Sequence, residues 1–171
     1  VFARRLPLFK LLGFQVWIDW SWFIIALLVT WSLATQLFPA LYAEVELSSG
    51  TYWAMAVAGA IGLFTSIVLH ELGHSLVARR FGIEMRGITL FIFGGVAEMS
   101  DEPPNASAEF FVAIAGPAVS VVIAIVMLGS TMVGNVMNWP TPVVGVTGWL
   151  GWINLVLVAF NLVPAFPRDG G

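Results

Sequence analysis

The sequence predicts an all-α polytopic membrane protein with about four transmembrane helices and a small β element near the cytoplasmic boundary. Three observations predict it. Hydrophobic residues make up 59% of the 171 and charged residues 10%, where an ordinary soluble domain is roughly a quarter charged. A folded chain of this length still exposes a large fraction of its surface, so the apolar excess needs lipid as solvent. Four stretches are long and apolar enough to supply the roughly 20 residues with which a helix crosses about 30 Å of hydrocarbon. The stretch 87–97 breaks that pattern. There Ile88, Thr89, Leu90, Phe91, Ile92 and Phe93 are β-prone and end at Gly94 and Gly95, as a strand or hairpin would.

A strand-like stretch at 13–19 comes first and is expected to pair with the later one. The first span covers residues 20–38, after Arg4, Arg5 and Lys10, with Trp17, Trp20 and Trp22 able to sit at headgroup level. It is too long and too rich in tryptophan for a signal peptide, and it lacks a small-residue cleavage site. The second span covers 52–78, the third 110–133 and the fourth 143–163, with a turn-rich break at 134–142. Residues 99–108, which include Asp101, Glu102, Pro103 and Pro104, read as a polar surface loop. Ala54, Ala58 and Gly62 recur at four-residue spacing, as do Gly145 and Trp149, and small residues at such intervals let helix backbones approach in lipid. Gly116 and Pro117 are expected to set the entry angle of the third span.

Basic residues orient the spans, because short cytoplasmic loops are enriched in Lys and Arg. Arg4, Arg5 and Lys10 precede the first span, Arg79, Arg80 and Arg86 follow the second, and Arg168 follows the fourth. All fall on one side, so the N-terminus is expected in the cytoplasm. Seven basic and ten acidic groups give a net charge of -3 with no basic tract, which excludes a nucleic-acid partner on electrostatic grounds. The chain has no cysteine. Disulfides, zinc ribbons, iron–sulfur clusters and thiol nucleophiles are thereby excluded together, and any metal must be held by His, Asp or Glu.

The two histidines of the chain stand in Leu69-His70-Glu71-Leu72-Gly73-His74, inside the second span. On a helix, His74 lies about 40° around and about 6 Å along from His70, so both imidazoles face one way and are spaced to chelate one ion. Glu71 is about 60° from His74, beside such an ion and placed to handle a proton. His-Glu-x-x-His is the metalloprotease pattern, with zinc on the histidines and the glutamate as general base. Its place in hydrocarbon adds weight, because burying ionisable groups there costs several kcal/mol or more unless a partner compensates, and such groups are functional suspects by default. The competing reading is a hydrogen-bonded cluster or proton relay that joins helices.

Catalytic zinc commonly takes three protein ligands, so a third must come from elsewhere. Asp169 is the best candidate. Pro164 and Pro167 stop the fourth helix near the membrane, and the second and fourth spans descend to the same side. Taken alone, Asp169 would read as a solvated acid and Asn161 as a helix-capping amide.

Together these residues resemble the site-2 protease family of intramembrane zinc metalloproteases. His70 to His74 match the family's His-Glu-x-x-His, and Asn161, Pro164, Asp169 and Gly170 match its Asn-x-x-Pro followed by Asp-Gly. The stretches 93–97, 115–117 and 9–14 are similar to further family features, the last to prokaryotic members without a PDZ insert that often carry C-terminal CBS domains. Arg168 stands where members usually have an apolar residue. The resemblance implies one zinc ion per chain on His70, His74 and Asp169, with Glu71 as the catalytic base. It also implies substrate contact through Asn161 and, from transmembrane protein substrates, cleavage in regulated intramembrane proteolysis. The strand 88–93 is expected to receive the unwound substrate by edge pairing, with Gly94 and Gly95 permitting close approach. Residues 1–171 are expected to be one membrane-embedded metalloprotease core of a prokaryotic cell membrane protein, a fragment with further C-terminal spans and a regulatory domain beyond it. The active site is expected nearer the cytoplasmic side. The rival readings are a transporter or ion carrier using the same cluster and an inactive relative that binds membrane proteins. The oligomeric state is left open.

Overall fold

The computed structural model describes residues 5–92, 94–99 and 104–162. Strand β1 (Arg5–Leu11) turns through Leu12 and Gly13 into β2 (Phe14–Asp19). Both turn residues have positive φ, 49° and 92°, as the tight turns that match strand twist require. Helix α1 (Ser21–Ser32) then passes through a π-helical turn (Leu33–Leu37) into the short α2 (Phe38–Leu41). Pro39 lacks an N–H and crowds the carbonyl four residues back, which explains why the ladder slips there. Leu33, Ala34 and Phe38 bury themselves at this slip against Met55 and Ala56 of α3 (Ser49–Arg80).

Helix α3 is capped at both ends. The Ser48 hydroxyl accepts from the Thr51 N–H at 3.1 Å. At the far end Gly82 adopts φ +76°, while the Ile83 N–H reaches the Ala78 carbonyl and the Gly82 N–H the Arg79 carbonyl, both at 3.1 Å. These two bonds make a Schellman stop. The chain then forms the hairpin β3 (Met85–Phe91) and β4 (Gly94–Met99), followed by α4 (Ala106–Val136) and α5 (Thr141–Leu162). Asn138, with φ +55°, and the Trp139 N–H bonded to the Gly134 carbonyl at 2.8 Å end α4 in a similar way.

Four helical segments are long and apolar enough to cross a membrane: Ser21–Leu41, Ser49–Arg80, Ala106–Val136 and Thr141–Asn161. The four expected spans all form. The sheet order is β1-β2-β3-β4, antiparallel except for the β2–β3 pair. The expected pairing of 13–19 with the later strand is therefore present and parallel, with Val16 opposite Ile88 and Ile18 opposite Leu90. One face of β2, Phe14, Val16 and Ile18, is buried with Val68 and Leu72 of α3. The sheet thus lies along the half of α3 that carries the histidines.

Three expectations need correction. Residues 5–11 form a strand, where the sequence suggested only a basic flank to the first span. Its exposed Leu6, Leu8 and Phe9 lack the one-sided burial that makes a strand legible. Met99 ends β4, and Ala106 to Ala108 begin α4 behind an Asn105 cap that accepts from the Ala108 N–H at 2.9 Å; only part of 99–108 is loop, with 100–103 outside the described residues. Gly116 and Pro117 do not open the third span. They lie within α4, more than two turns after its first residue Ala106.

Arg79 holds the sheet to the end of α3. Its Nη1 donates to the Leu12 carbonyl at 3.0 Å, and its guanidinium lies 4.8 Å from the centre of the Phe14 ring. Lys10, Arg79 and Arg80 consequently share one end of the molecule.

Candidate active site

Helix α3 brings His70, Glu71 and His74 onto adjoining faces of one turn, as the spacing predicted. His70 is buried, while Glu71 and His74 are half-buried. The two imidazoles point their Nε2 atoms at each other, 3.1 Å apart. Each Nδ1 is held by α4, that of His74 by the Val112 carbonyl at 2.6 Å and that of His70 by the Ser120 hydroxyl at 2.8 Å. A carbonyl oxygen only accepts, so His74 carries its proton on Nδ1 and presents an Nε2 lone pair.

Glycines make this convergence possible. A Cβ on Gly116 would overlap the Nε2 atoms of both histidines. At Gly73 a Cβ would meet the Ala115 carbonyl oxygen at 2.9 Å, so α3 and α4 cross closely there. On the other side, a Cβ on Gly95 would lie 2.8 Å from Cγ of Glu71 and 2.9 Å from Cγ2 of Ile67. Strand β4 therefore runs against the Glu71 side chain. Gly94, with φ +124°, has a backbone conformation that side chains rarely adopt.

A cavity of about 620 Å³ opens at this point, and His70, Glu71, Gly94, Gly95 and Asn161 all line it. Its remaining walls are apolar, Ile92 of the β3–β4 turn and residues of α1, α3 and α5 such as Val29, Ile67 and Val156. Asn161 is held by its own helix, Nδ2 donating to the Leu157 carbonyl at 2.8 Å. Helices α3 and α5 run side by side in the same direction. Ser66 meets Asn154, and further along both helices His70 shares the cavity with Asn161. A second groove, about 650 Å³ between β1, α1 and α3, contains no ionisable group among the described residues of its lining.

The donor set fits zinc. Two imidazole nitrogens on one tetrahedral zinc lie about 3.3 Å apart, close to the 3.1 Å found between them. The Nδ1–H of His74 donates to a carbonyl, the usual second partner of a metal-bound imidazole. Among the described residues no group of three or more His, Asp or Glu side chains is placed to hold an ion. Asp169 lies outside the described residues.

Of the expected substrate strand 88–93, the part in β3 cannot offer an edge, because β3 is paired on both sides, to β2 and to β4; Phe93 lies outside the described residues. The outer strand on this flank is β4, the one carrying Gly94 and Gly95. Sequence reasoning also missed Val112, Gly116 and Ser120 as parts of the site. Ser120 stands four residues after Gly116, hence on the same helical face, and that spacing could have pointed to it.

A family model for Peptidase family M50 matches residues 58–144. The chain belongs to peptidase family M50. The matched segment includes both histidines, Glu71, Gly116 and Ser120, and ends before Asn161. A Synechocystis sp. protein provisionally named a zinc metalloprotease is 47% identical over 164 residues, covering 95% of this chain and 41% of the relative. Rip3 of Mycobacterium tuberculosis, also provisionally named a zinc metalloprotease, is 38% identical over 174 residues, covering 97% and 42%. The M50 chain thus spans about two fifths of the curated relatives it matches. Its fold matches a solved site-2 protease from Methanocaldococcus jannaschii with a TM-score of 0.66 and 33% identity, covering 98% of this chain and 68% of that one. The family resemblance and the helical membrane fold drawn from the sequence are both borne out.

Proposed function

We propose that this M50 protein is a zinc-dependent intramembrane endopeptidase that cleaves transmembrane protein substrates, as a step in regulated intramembrane proteolysis. His70, His74 and Asp169 are the proposed zinc ligands and Glu71 the general base. The observation that carries the reading is the pair of Nε2 atoms converging at 3.1 Å on the wall of a cavity shared with Glu71. A hydrogen-bonded cluster that only joined helices would have no need of a substrate-sized cavity beside it. The basic end of the molecule, with Lys10, Arg79 and Arg80, is the proposed cytoplasmic end, and the site lies in the half of α3 nearer to it.

When bound, zinc supplies a Lewis acid for the scissile carbonyl and lowers the pKa of a water towards about 7. The Glu71 carboxylate takes the proton of the attacking water as its oxygen bonds to the carbonyl carbon. When the C–N bond breaks, Glu71 returns that proton to the leaving amine. The apolar walls from α1 and α5 limit bulk water around Glu71, which strengthens its interactions. Asn161 is proposed to hold the substrate backbone. A helical substrate hides its carbonyls in its own hydrogen bonds and must unwind, and the outer strand β4, with Gly94 and Gly95 beside Glu71, offers an edge for the extended segment.

Glu71→Gln tests the assignment. Cleavage of a membrane-anchored reporter by the full-length protein should fall by about 10²- to 10⁴-fold, while zinc content stays near one per chain. Retained cleavage would remove Glu71 from its role. Cation flux in vesicles that survives the substitution would favour a carrier, and substrate binding by a wild-type protein without cleavage would favour an inactive relative.

A further inference from the structure

We propose that Ser120 is a positioning residue that sets which nitrogen of His70 is offered to the metal. The inference rests on the reading that His70 and His74 hold a cation. The two rings are secured unequally. His74 has no choice, because its Nδ1 faces the Val112 carbonyl at 2.6 Å, and a carbonyl accepts only. His70 faces a hydroxyl at 2.8 Å, and a hydroxyl both donates and accepts.

Two proton arrangements therefore fit the same heavy atoms. In the first, the Ser120 hydroxyl donates to Nδ1 of His70, and its Nε2–H donates across the 3.1 Å gap to the Nε2 lone pair of His74. Every group in the chain from Ser120 to Val112 is then paired, and the space between the rings is closed to a cation. In the second, His70 carries its proton on Nδ1 and donates it to the Ser120 oxygen. Both Nε2 lone pairs now face one point, an arrangement that repels itself unless a cation or a donor, such as the Asn161 amide beside His70, lies there. The proton count is the same in both, since one proton moves by solvent exchange from Nε2 to Nδ1 of one ring. Only a two-way group at position 120 serves both arrangements.

Ser120 is fully buried in α4, one turn beyond the glycine that makes room for the rings. Removing its hydroxyl leaves the Nδ1–H of the metal-binding arrangement buried without an acceptor, the costlier of the two losses. Ser120→Ala should therefore weaken zinc binding about 10- to 100-fold, the range for partners of metal-bound imidazoles. Ser120→Thr, which keeps the hydroxyl, should bind within about 3-fold of wild type.

The test uses full-length protein in detergent or nanodiscs. Zinc is titrated and the histidine side chains are read by ¹⁵N NMR. Within this chain only two histidines contribute, so ¹⁵N-labelled His70→Gln and His74→Gln controls assign the signals. With zinc, both wild-type rings should show a protonated Nδ1 and a metal-bound Nε2. Without zinc, Ser120→Ala should shift the His70 nitrogen signals and leave those of His74 in place. Zinc affinity in Ser120→Ala equal to wild type, or zinc on Nδ1 of His70, overturns the role of Ser120 alone. A wild-type protein that binds no zinc overturns the metal-site reading beneath it.

Discussion

Helix α3 carries two buried polar clusters, and they differ in kind. At Ser66 it meets Asn154 of α5, whose Nδ2 donates to the Ser66 hydroxyl at 3.1 Å and to the Leu150 carbonyl at 2.8 Å. The Ser66 hydroxyl in turn donates to the Gly62 carbonyl at 2.9 Å. One turn later come His70 and His74. Both clusters lie in the apolar interior, and Asn154 is the more fully buried, at 0% exposure against 4% for His70. Burial therefore does not separate a structural cluster from the one proposed to do chemistry. Two features do: acceptor atoms that converge on one point, and a cavity beside them. The Asn154 cluster has neither, and its single leftover atom, Oδ1, has no hydrogen-bond partner among the described residues. It belongs to a packing seam in which Gly62 lies against Leu150 and Gly59 against Trp149, the use that the small-residue spacing suggested.

Substitutions at the two clusters should separate them. The largest effect after loss of Glu71 is expected from Gly116→Ala, because the added methyl falls on the Nε2 atoms of both histidines. Zinc content by elemental analysis should drop to background while helix content by circular dichroism is kept; full zinc occupancy would mean that the rings bind elsewhere. The smallest effect is expected from Asn154→Leu. Interhelical hydrogen bonds in membranes average about 0.6 kcal/mol, and the change also removes an unpaired Oδ1. Its unfolding free energy should shift by less than about 1 kcal/mol, with zinc content unchanged. A loss of zinc in Asn154→Leu would merge the two clusters into one functional unit.

The fold was legible in the sequence wherever hydropathy decides the structure. Four spans and the 87–97 hairpin follow from apolar run length and β-prone composition, and the His-Glu-x-x-His turn follows from helical geometry alone. What was missed depends on contacts between elements. Strand β1 is an exposed edge whose apolar side chains give no alternation. Val112 acts through its carbonyl, which no side chain advertises, and Ser120 meets His70 across 50 residues of sequence. Pairing order was equally hidden: β3 reads as the substrate-facing strand from its β-prone run, yet it is β4 that lies outermost. Gly116 and Pro117 read from the sequence as setting the entry angle of a span, whereas the missing Cβ of Gly116 is what admits the imidazoles.

The most direct test of the central claim is zinc K-edge X-ray absorption on the full-length protein, with Asp169→Ala alongside. The account predicts one zinc per chain with two imidazole nitrogens at about 2.0–2.1 Å and an oxygen ligand from a carboxylate, and a lower zinc occupancy in Asp169→Ala. Occupancy unchanged in that variant would transfer Asp169 to a pairing with Arg168. A spectrum without two imidazole nitrogens on the metal, or a wild-type protein that takes up no zinc, would contradict the account at its base.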